Sequence, residues 1–177
     1  MFGWFRKDKR GEKVAKSWYA AIMTKARDPK PYLEALVEDS LDGRFNMVTL
    51  VATLVMRRLR DFDEDGRALA DGVYREVFSG FDHALREEGV GDSSIARKMR
   101  KMGEEFFGLA RAIDGAFEQD SPHEALTEAL ARNVQPDEGK AQALAEWLIQ
   151  QDALLQAIPR DNALTGQAPW SDADLQG

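Results

Sequence analysis

Apolar side chains recur at intervals of three and four residues along almost the whole chain, and this spacing restricts the fold more than any other feature. Residues three or four apart lie on one face of an α-helix, whereas a half-buried strand needs an alternation of two. The chain has no sustained alternation and no Asn-Gly or Asp-Gly turn between β-branched runs. The sequence therefore predicts an all-α fold.

The most regular pattern predicts a helix that begins at Asp92 or Ser93 and ends near Phe117. Gly108 and Gly115 lie seven residues apart on one face of this helix, although each costs on the order of 1 kcal/mol relative to alanine. Close packing of another helix, or of a bound partner, would explain them. The apolar positions of the pattern are Ile95, Met99, Met102, Phe106, Leu109 and Ile113.

The same spacing predicts six further helices, at about 12–26, 32–38, 44–60, 64–88, 122–133 and 137–158. Helix 44–60 is the most apolar, with its polar residues confined to one narrow stripe, which is typical of the central helix of a bundle. Ser121, Pro122 and Glu124 form a capping-box pattern before the sixth helix.

We therefore predict a single helical bundle of about seven helices with a flexible C-terminal tail. A basic aromatic segment at 1–11 precedes the helical domain at 12–158. Residues 159–177 are rich in small and polar side chains, which predicts a tail that is mobile or only locally docked.

Catalytic and metal-ligating side chains are scarce. The absence of cysteine excludes disulfides, thiolate nucleophiles and cysteine zinc sites. His83 beside Asp82 is the one candidate base, and an enzymatic alternative would need a pocket that brings carboxylates to it. His123 lacks the second histidine of a helical zinc motif, and the calcium-like run Asp61–Gly66 has Gly72 where the loop needs glutamate. We predict no catalytic residue, metal site or cofactor.

The net charge of −7 argues against general binding of polyanions, but it conceals a basic N-terminus. Aromatic side chains beside cations favour an anionic membrane surface, while a frayed, solvated terminus is the alternative. No apolar stretch follows the charges, so we predict neither an export signal nor a transmembrane segment. The residues predicted to contact a membrane are Phe2, Trp4, Phe5, Arg6 and Lys7.

A second cationic feature, here called the basic patch, comprises Arg97, Lys98, Arg100 and Lys101. On a helix these side chains spread over the outside while the neighbouring methionines face the core. The patch is either a solvated face or a docking site for an acidic or phosphate-bearing partner such as RNA, a lipid headgroup or a polypeptide. No aromatic side chains interleave for base stacking, so we predict no sequence-specific nucleic acid.

Five segments, in a fixed order and spacing, resemble the ubiquinol–cytochrome c chaperone family. The resemblance covers about residues 14–148. The segments are 41–59, 85–92, 97–102, 105–108 and 130–134. It implies an all-helical, non-catalytic assembly chaperone of the cytochrome bc1 complex, because mitochondrial members of the family bind newly made cytochrome b near the ribosome and the inner membrane.

The resemblance further implies a cytoplasmic protein peripheral to the inner membrane, with cytochrome b or another bc1 subunit as client and a small protein as partner. A ribosome, RNA or membrane-surface adaptor that uses the basic patch is the alternative. The partner-binding residues implied at the start of the central helix are Asp42, Gly43, Arg44 and Phe45. Each of the four also has a structural interpretation, as helix cap, relief of the backbone, snorkelling cation and core ring respectively.

Overall fold

The computed structural model describes residues 9–137 and 139–170, which form eight α-helices and no strand. All seven predicted helices are present, and one short helix is added after them, so the all-α prediction is confirmed. The helices are α1 (Lys9–Lys25), α2 (Pro29–Leu33), α3 (Leu41–Arg60), α4 (Glu64–Glu87), α5 (Asp92–Phe117), α6 (Pro122–Asn133), α7 (Lys140–Gln156) and α8 (Arg160–Leu164).

Helix α3 is the centre of the bundle and packs against α1, α4, α5 and α7. Every residue from Met47 to Met56 is buried. The buried hydroxyls of Thr49 and Thr53 donate to the carbonyl oxygens four residues earlier, at 2.9 and 2.7 Å. A threonine that bonds back to its own helix needs no other polar partner, so the polar stripe does not prevent α3 from being enclosed.

The second helix lies earlier than its predicted range of 32–38. It begins at Pro29 because the Asp28 carboxylate caps it, accepting a hydrogen bond from the Lys30 amide at 3.0 Å. It ends before Ala35, whose φ of 53° lies in the left-handed region that a right-handed helix cannot continue through. The predicted range was therefore wrong because capping and backbone conformation, not apolar spacing, set both ends.

Helix α6 spans its predicted range, whereas α7 begins later and ends earlier than predicted. Ser121 occupies the N-cap position and Pro122 the first turn of α6, but the serine side chain makes no capping hydrogen bond. The capping-box pattern thus located the helix without forming the box. Helix α7 begins at Lys140 rather than near 137, since Gly139 has a φ of 79°.

Residues 160–170 are docked on the bundle. The buried Trp18 indole donates to the Ala163 carbonyl oxygen at 2.9 Å. Trp170 donates to the Gln151 side-chain oxygen at 3.1 Å. Of the two behaviours predicted for the tail, this part shows local docking, while residues 171–177 lie outside the described part of the chain.

Candidate partner-binding surfaces

The N-terminus of α3 is capped by Ser40, whose hydroxyl oxygen accepts a hydrogen bond from the Gly43 amide at 3.2 Å. Asp42 is therefore not the cap. It lies exposed in the first turn of α3, where its negative charge interacts favourably with the positive end of the helix dipole. Gly43 is buried, and a Cβ at this position would overlap the carbonyl oxygen of Glu38. Close packing against the α2–α3 connection therefore accounts for a glycine at this position.

Arg44 and Phe45 lie in different surroundings. Arg44 is exposed, with its Nε 2.8 Å from the Asp39 carboxylate, so it pairs with a neighbour on the surface. The half-buried Phe45 ring lies 5.3 Å from the ring of Phe81. Of the four residues implied as partner-binding, Asp42 and Arg44 are accessible, while Gly43 and Phe45 hold the start of α3 in place.

Asp42 lines a cleft of about 560 Å³ between the α2–α3 connection and the α6–α7 connection. Leu33 and Leu41, at the end of α2 and the start of α3, are 81% and 71% exposed. The cleft itself is therefore acidic, and two exposed leucines lie at the helix ends beside it. The carboxylates that line this acidic cleft belong to Glu38, Asp39, Asp42 and Asp137.

The walls of the acidic cleft are fixed by specific backbone and side-chain contacts. Ala35 and Gln135, one in each connection, both have φ near 52–53° in the left-handed region. The Tyr32 hydroxyl donates to the Ala26 carbonyl oxygen at 2.8 Å, and burial raises the pKa of Tyr32 to about 12. Lys140 donates to the Glu34 carbonyl oxygen at 3.0 Å and so ties α7 to the other wall.

The basic patch lies on the exposed side of the first half of α5, as predicted. Lys101 is 3.4 Å from Glu105, an exposed pair one turn apart that contributes little to stability. Arg97, Lys98 and Arg100 form no ion pair with any residue in the described part of the chain. Three guanidinium or ammonium groups are therefore left to meet solvent or a partner.

A row of aromatic rings joins the start of α3 to the outer side of α5. Phe45 contacts Phe81, whose ring is 5.5 Å from that of Phe78. Phe78 lies 4.5 Å from Tyr74, and Tyr74 lies 5.3 Å from Phe107. Phe107, which lies outside the apolar spacing predicted for α5, ends the row and remains 48% exposed.

His83, the candidate base, lies on the surface of α4 beside several carboxylates. His83 is exposed, with its Nε2 3.3 Å from Glu87. Arg86 holds Asp82 at 2.7 Å and Asp92 at 2.8 Å, and its hydrogen bond lowers the pKa of Asp82. The neighbouring aspartates are thus engaged by arginine.

The two metal-like motifs have structural roles in the described residues. Asp63 is the N-cap of α4, accepting a hydrogen bond from Asp65, and it also pairs with Arg160. His123 lies 3.6 Å from a carboxylate oxygen of Glu146. Within 9–137 and 139–170, no group of three or more potential ligand residues is arranged to hold a metal ion.

The predicted membrane-contact residues Phe2, Trp4, Phe5, Arg6 and Lys7 lie outside the described part of the chain. Among the helices that are described, none is both long enough and apolar enough to cross a bilayer.

Comparison with known proteins gives one family and one related structure. The family model described as ubiquinol-cytochrome C chaperone matches residues 34–170. The crystal structure of the Cbp3 homolog from Brucella abortus is similar with a TM-score of 0.81 and 30% sequence identity, over 96% of this chain and 94% of that one. None of the curated proteins compared with the chain matches it.

Proposed function

The chain belongs to the ubiquinol-cytochrome C chaperone family, and from this premise we propose that it is a non-catalytic assembly chaperone of the cytochrome bc1 complex. In this proposal it binds newly made cytochrome b at the cytoplasmic side of the inner membrane and releases it for assembly. The observation that carries the proposal is the family match, which extends from the α2–α3 connection to the docked C-terminal segment.

The surfaces suit a protein that binds rather than reacts. A chaperone of a membrane protein needs apolar contact area together with charges that meet the loops or headgroups beside its client. The molecule offers exposed Leu33 and Leu41 beside the acidic cleft, and exposed Phe107 on the helix that carries the basic patch. We propose that Asp42 and Arg44 contact the client directly, and that the N-terminal residues Phe2 to Lys7 add contact with the bilayer.

The test is a pull-down of the tagged full chain from detergent-solubilised membranes of its own host. Recovery of cytochrome b, identified by mass spectrometry, is the expected result, and it should be reduced by the double variant Asp42→Lys with Arg44→Glu. Ala84→Gln, an exposed change on α4, is the matched control and should leave recovery unchanged. An eluate that holds only soluble enzymes would rule the proposal out.

Arg97, Lys98 and Arg100, which have no ion pair among the residues that the structure describes, favour a second candidate function, an adaptor for RNA or for an anionic membrane surface. Binding of RNA through four phosphate contacts should weaken with salt at a log–log slope of about −3 to −4. Reversing all four charges of the patch should abolish co-sedimentation with RNA or with anionic vesicles. If both remain unchanged, neither ligand is bound electrostatically at this patch.

A further inference from the structure

The outer face of α5 carries an exposed aromatic ring between arginines. The ring of Phe107 is held 5.3 Å from Tyr74 and remains 48% exposed. Arg100 lies seven residues before it and Arg111 four residues after it, so the three side chains leave the same side of the helix. We call this surface the α5 outer stripe, comprising Arg97, Arg100, Glu104, Phe107, Gly108, Arg111 and Gly115.

The three arginines of the stripe have no ion pair among residues 9–137 and 139–170. They are therefore not used to hold the bundle together. Arginine and large aromatic side chains are enriched at the energetic centres of protein interfaces, where the guanidinium group pairs with carboxylates in a fixed geometry and the ring fills an apolar pocket. The arrangement of a rigid ring flanked by free guanidinium groups fits an apolar ligand that also carries acidic groups.

Gly108 and Gly115 leave the helix backbone uncovered at the middle and end of the stripe. A Cβ at either position would have no neighbouring atom within 4 Å, so no described part of the chain packs there. Gly115 lines, with Phe107 and Arg111, a shallow hollow of about 360 Å³. Glycine is the poorest helix former after proline, yet no contact among residues 9–137 and 139–170 explains Gly108 and Gly115 within this 26-residue helix.

A partner helix explains these observations better than a membrane does. The stripe carries three arginines with Glu104 among them, and Asp114 and Glu118 border the hollow, so charge alone does not separate an anionic lipid surface from an acidic helix; the two glycines do. A bilayer surface would gain no contact area from a glycine. A second helix would gain contact area, because small residues let two helix backbones approach closely. From Arg97 to Gly115 the stripe is about 27 Å long, which is five helical turns.

We propose that the α5 outer stripe binds an amphipathic α-helix of a partner protein. The apolar ridge of that helix lies on Phe107 and against the two glycines, and its acidic side chains pair with the arginines of the stripe. The inference rests on the proposed function only in that the ligand is a polypeptide; it does not depend on which subunit is the client.

The test uses the full chain and a fluorescein-labelled synthetic helix of 21 residues, with leucine at every third and fourth position and glutamate on both flanks. Fluorescence anisotropy should show saturable binding. A peptide with lysine in place of glutamate should bind at least tenfold more weakly. Reversing the stripe charges with Arg97→Glu, Arg100→Glu and Arg111→Glu should exchange the preference between the two peptides.

The decisive variant is the pair Gly108→Gln and Gly115→Gln. Because both positions are open, glutamine should strengthen α5 and raise the melting temperature by about 3–5 °C. The longer side chains should also keep a partner helix from approaching, so that the glutamate peptide binds at least tenfold more weakly. The pair Ala84→Gln and Ala153→Gln, on exposed faces of α4 and α7, is the matched control and should leave binding unchanged.

Three results would overturn the inference: no binding of the glutamate peptide, equal binding of both peptides, or undiminished binding by the glycine variant. Binding of vesicles containing anionic phospholipid, without binding of the peptide, would likewise assign the stripe to a membrane. The pull-down above is independent of these outcomes. Recovery of cytochrome b with no peptide binding would refute the stripe alone, and peptide binding without cytochrome b would refute only the proposed client.

Discussion

Replacing Gly43 by alanine separates a structural role at the start of α3 from a role in partner binding. An added Cβ would overlap the carbonyl oxygen of Glu38 and would lie 3.0 Å from both the Glu38 carbonyl carbon and Val37 Cγ1. Two of these atoms are backbone, and Val37 is 2% exposed, so relief requires the whole α2–α3 connection to move. That movement would also disturb the hydroxyl of Ser40 that caps the helix.

The magnitude follows from three opposing terms. Overpacking a buried site costs about 1–3 kcal/mol, and weakening the serine cap costs about 1 kcal/mol. Alanine returns about 1 kcal/mol through its better helix propensity. The net loss is about 2 kcal/mol of unfolding free energy, which in a protein of this size lowers the melting temperature by about 4–8 °C.

Urea unfolding followed by circular dichroism at 222 nm measures this loss. The same substitution at Gly108, where a Cβ meets no atom within 4 Å, is the control and should stabilise the protein by about 0.5–1 kcal/mol. Opposite signs for one chemical change at two helical glycines would show that the environment decides the outcome. A Gly43→Ala protein as stable as the wild type would refute the packing argument and leave partner binding as the reason for this glycine.

Two further perturbations probe the bundle. Deleting 159–177 should lower the unfolding free energy by about 2 kcal/mol or more, because the Trp18 indole loses the Ala163 carbonyl and buried surface is exposed; equal stability of the truncated chain in urea would contradict this. Burial raises the pKa of Asp114 and Asp152 above 3.8, so the folded state binds protons more tightly than the unfolded chain does. Stability should therefore fall as the pH rises through the window above about 4, and changing both residues to asparagine should flatten that slope; an unchanged slope would mean that other groups cause it.

The sequence was informative about α5 because packing and periodicity agree there. Of the six positions in the four-three spacing, Ile95, Phe106, Leu109 and Ile113 are buried, as predicted, whereas Met99 and Met102 are only half-buried. The same reasoning failed at α2, a five-residue helix whose limits come from one carboxylate and one left-handed residue. Short helices contain too few apolar positions for their spacing to be measured, so local capping decides them.

The docked C-terminal segment could not be placed from its own residues. Its anchor is a hydrogen bond between Trp18 and Ala163, 145 residues apart in the chain. Nothing near Ala163 marks it as an acceptor, since every residue has a carbonyl oxygen. The tertiary fold brings the two together, because α8 packs against α4 and α4 packs against α1.

The candidate surfaces divide in the same way. The charged residues can be read directly from the sequence, so the basic patch could be located and its exposure on α5 predicted. The exposure of Leu33, Leu41 and Phe107 could not be predicted from their residue types, because leucine and phenylalanine are also the residues that fill the core. Their exposure depends on where the other helices end. Phe107 lies outside the four-three spacing of the buried positions of α5, and arginines with no ion pair among the described residues and two uncovered glycines lie beside its exposed ring; this combination is the basis for proposing a partner surface there.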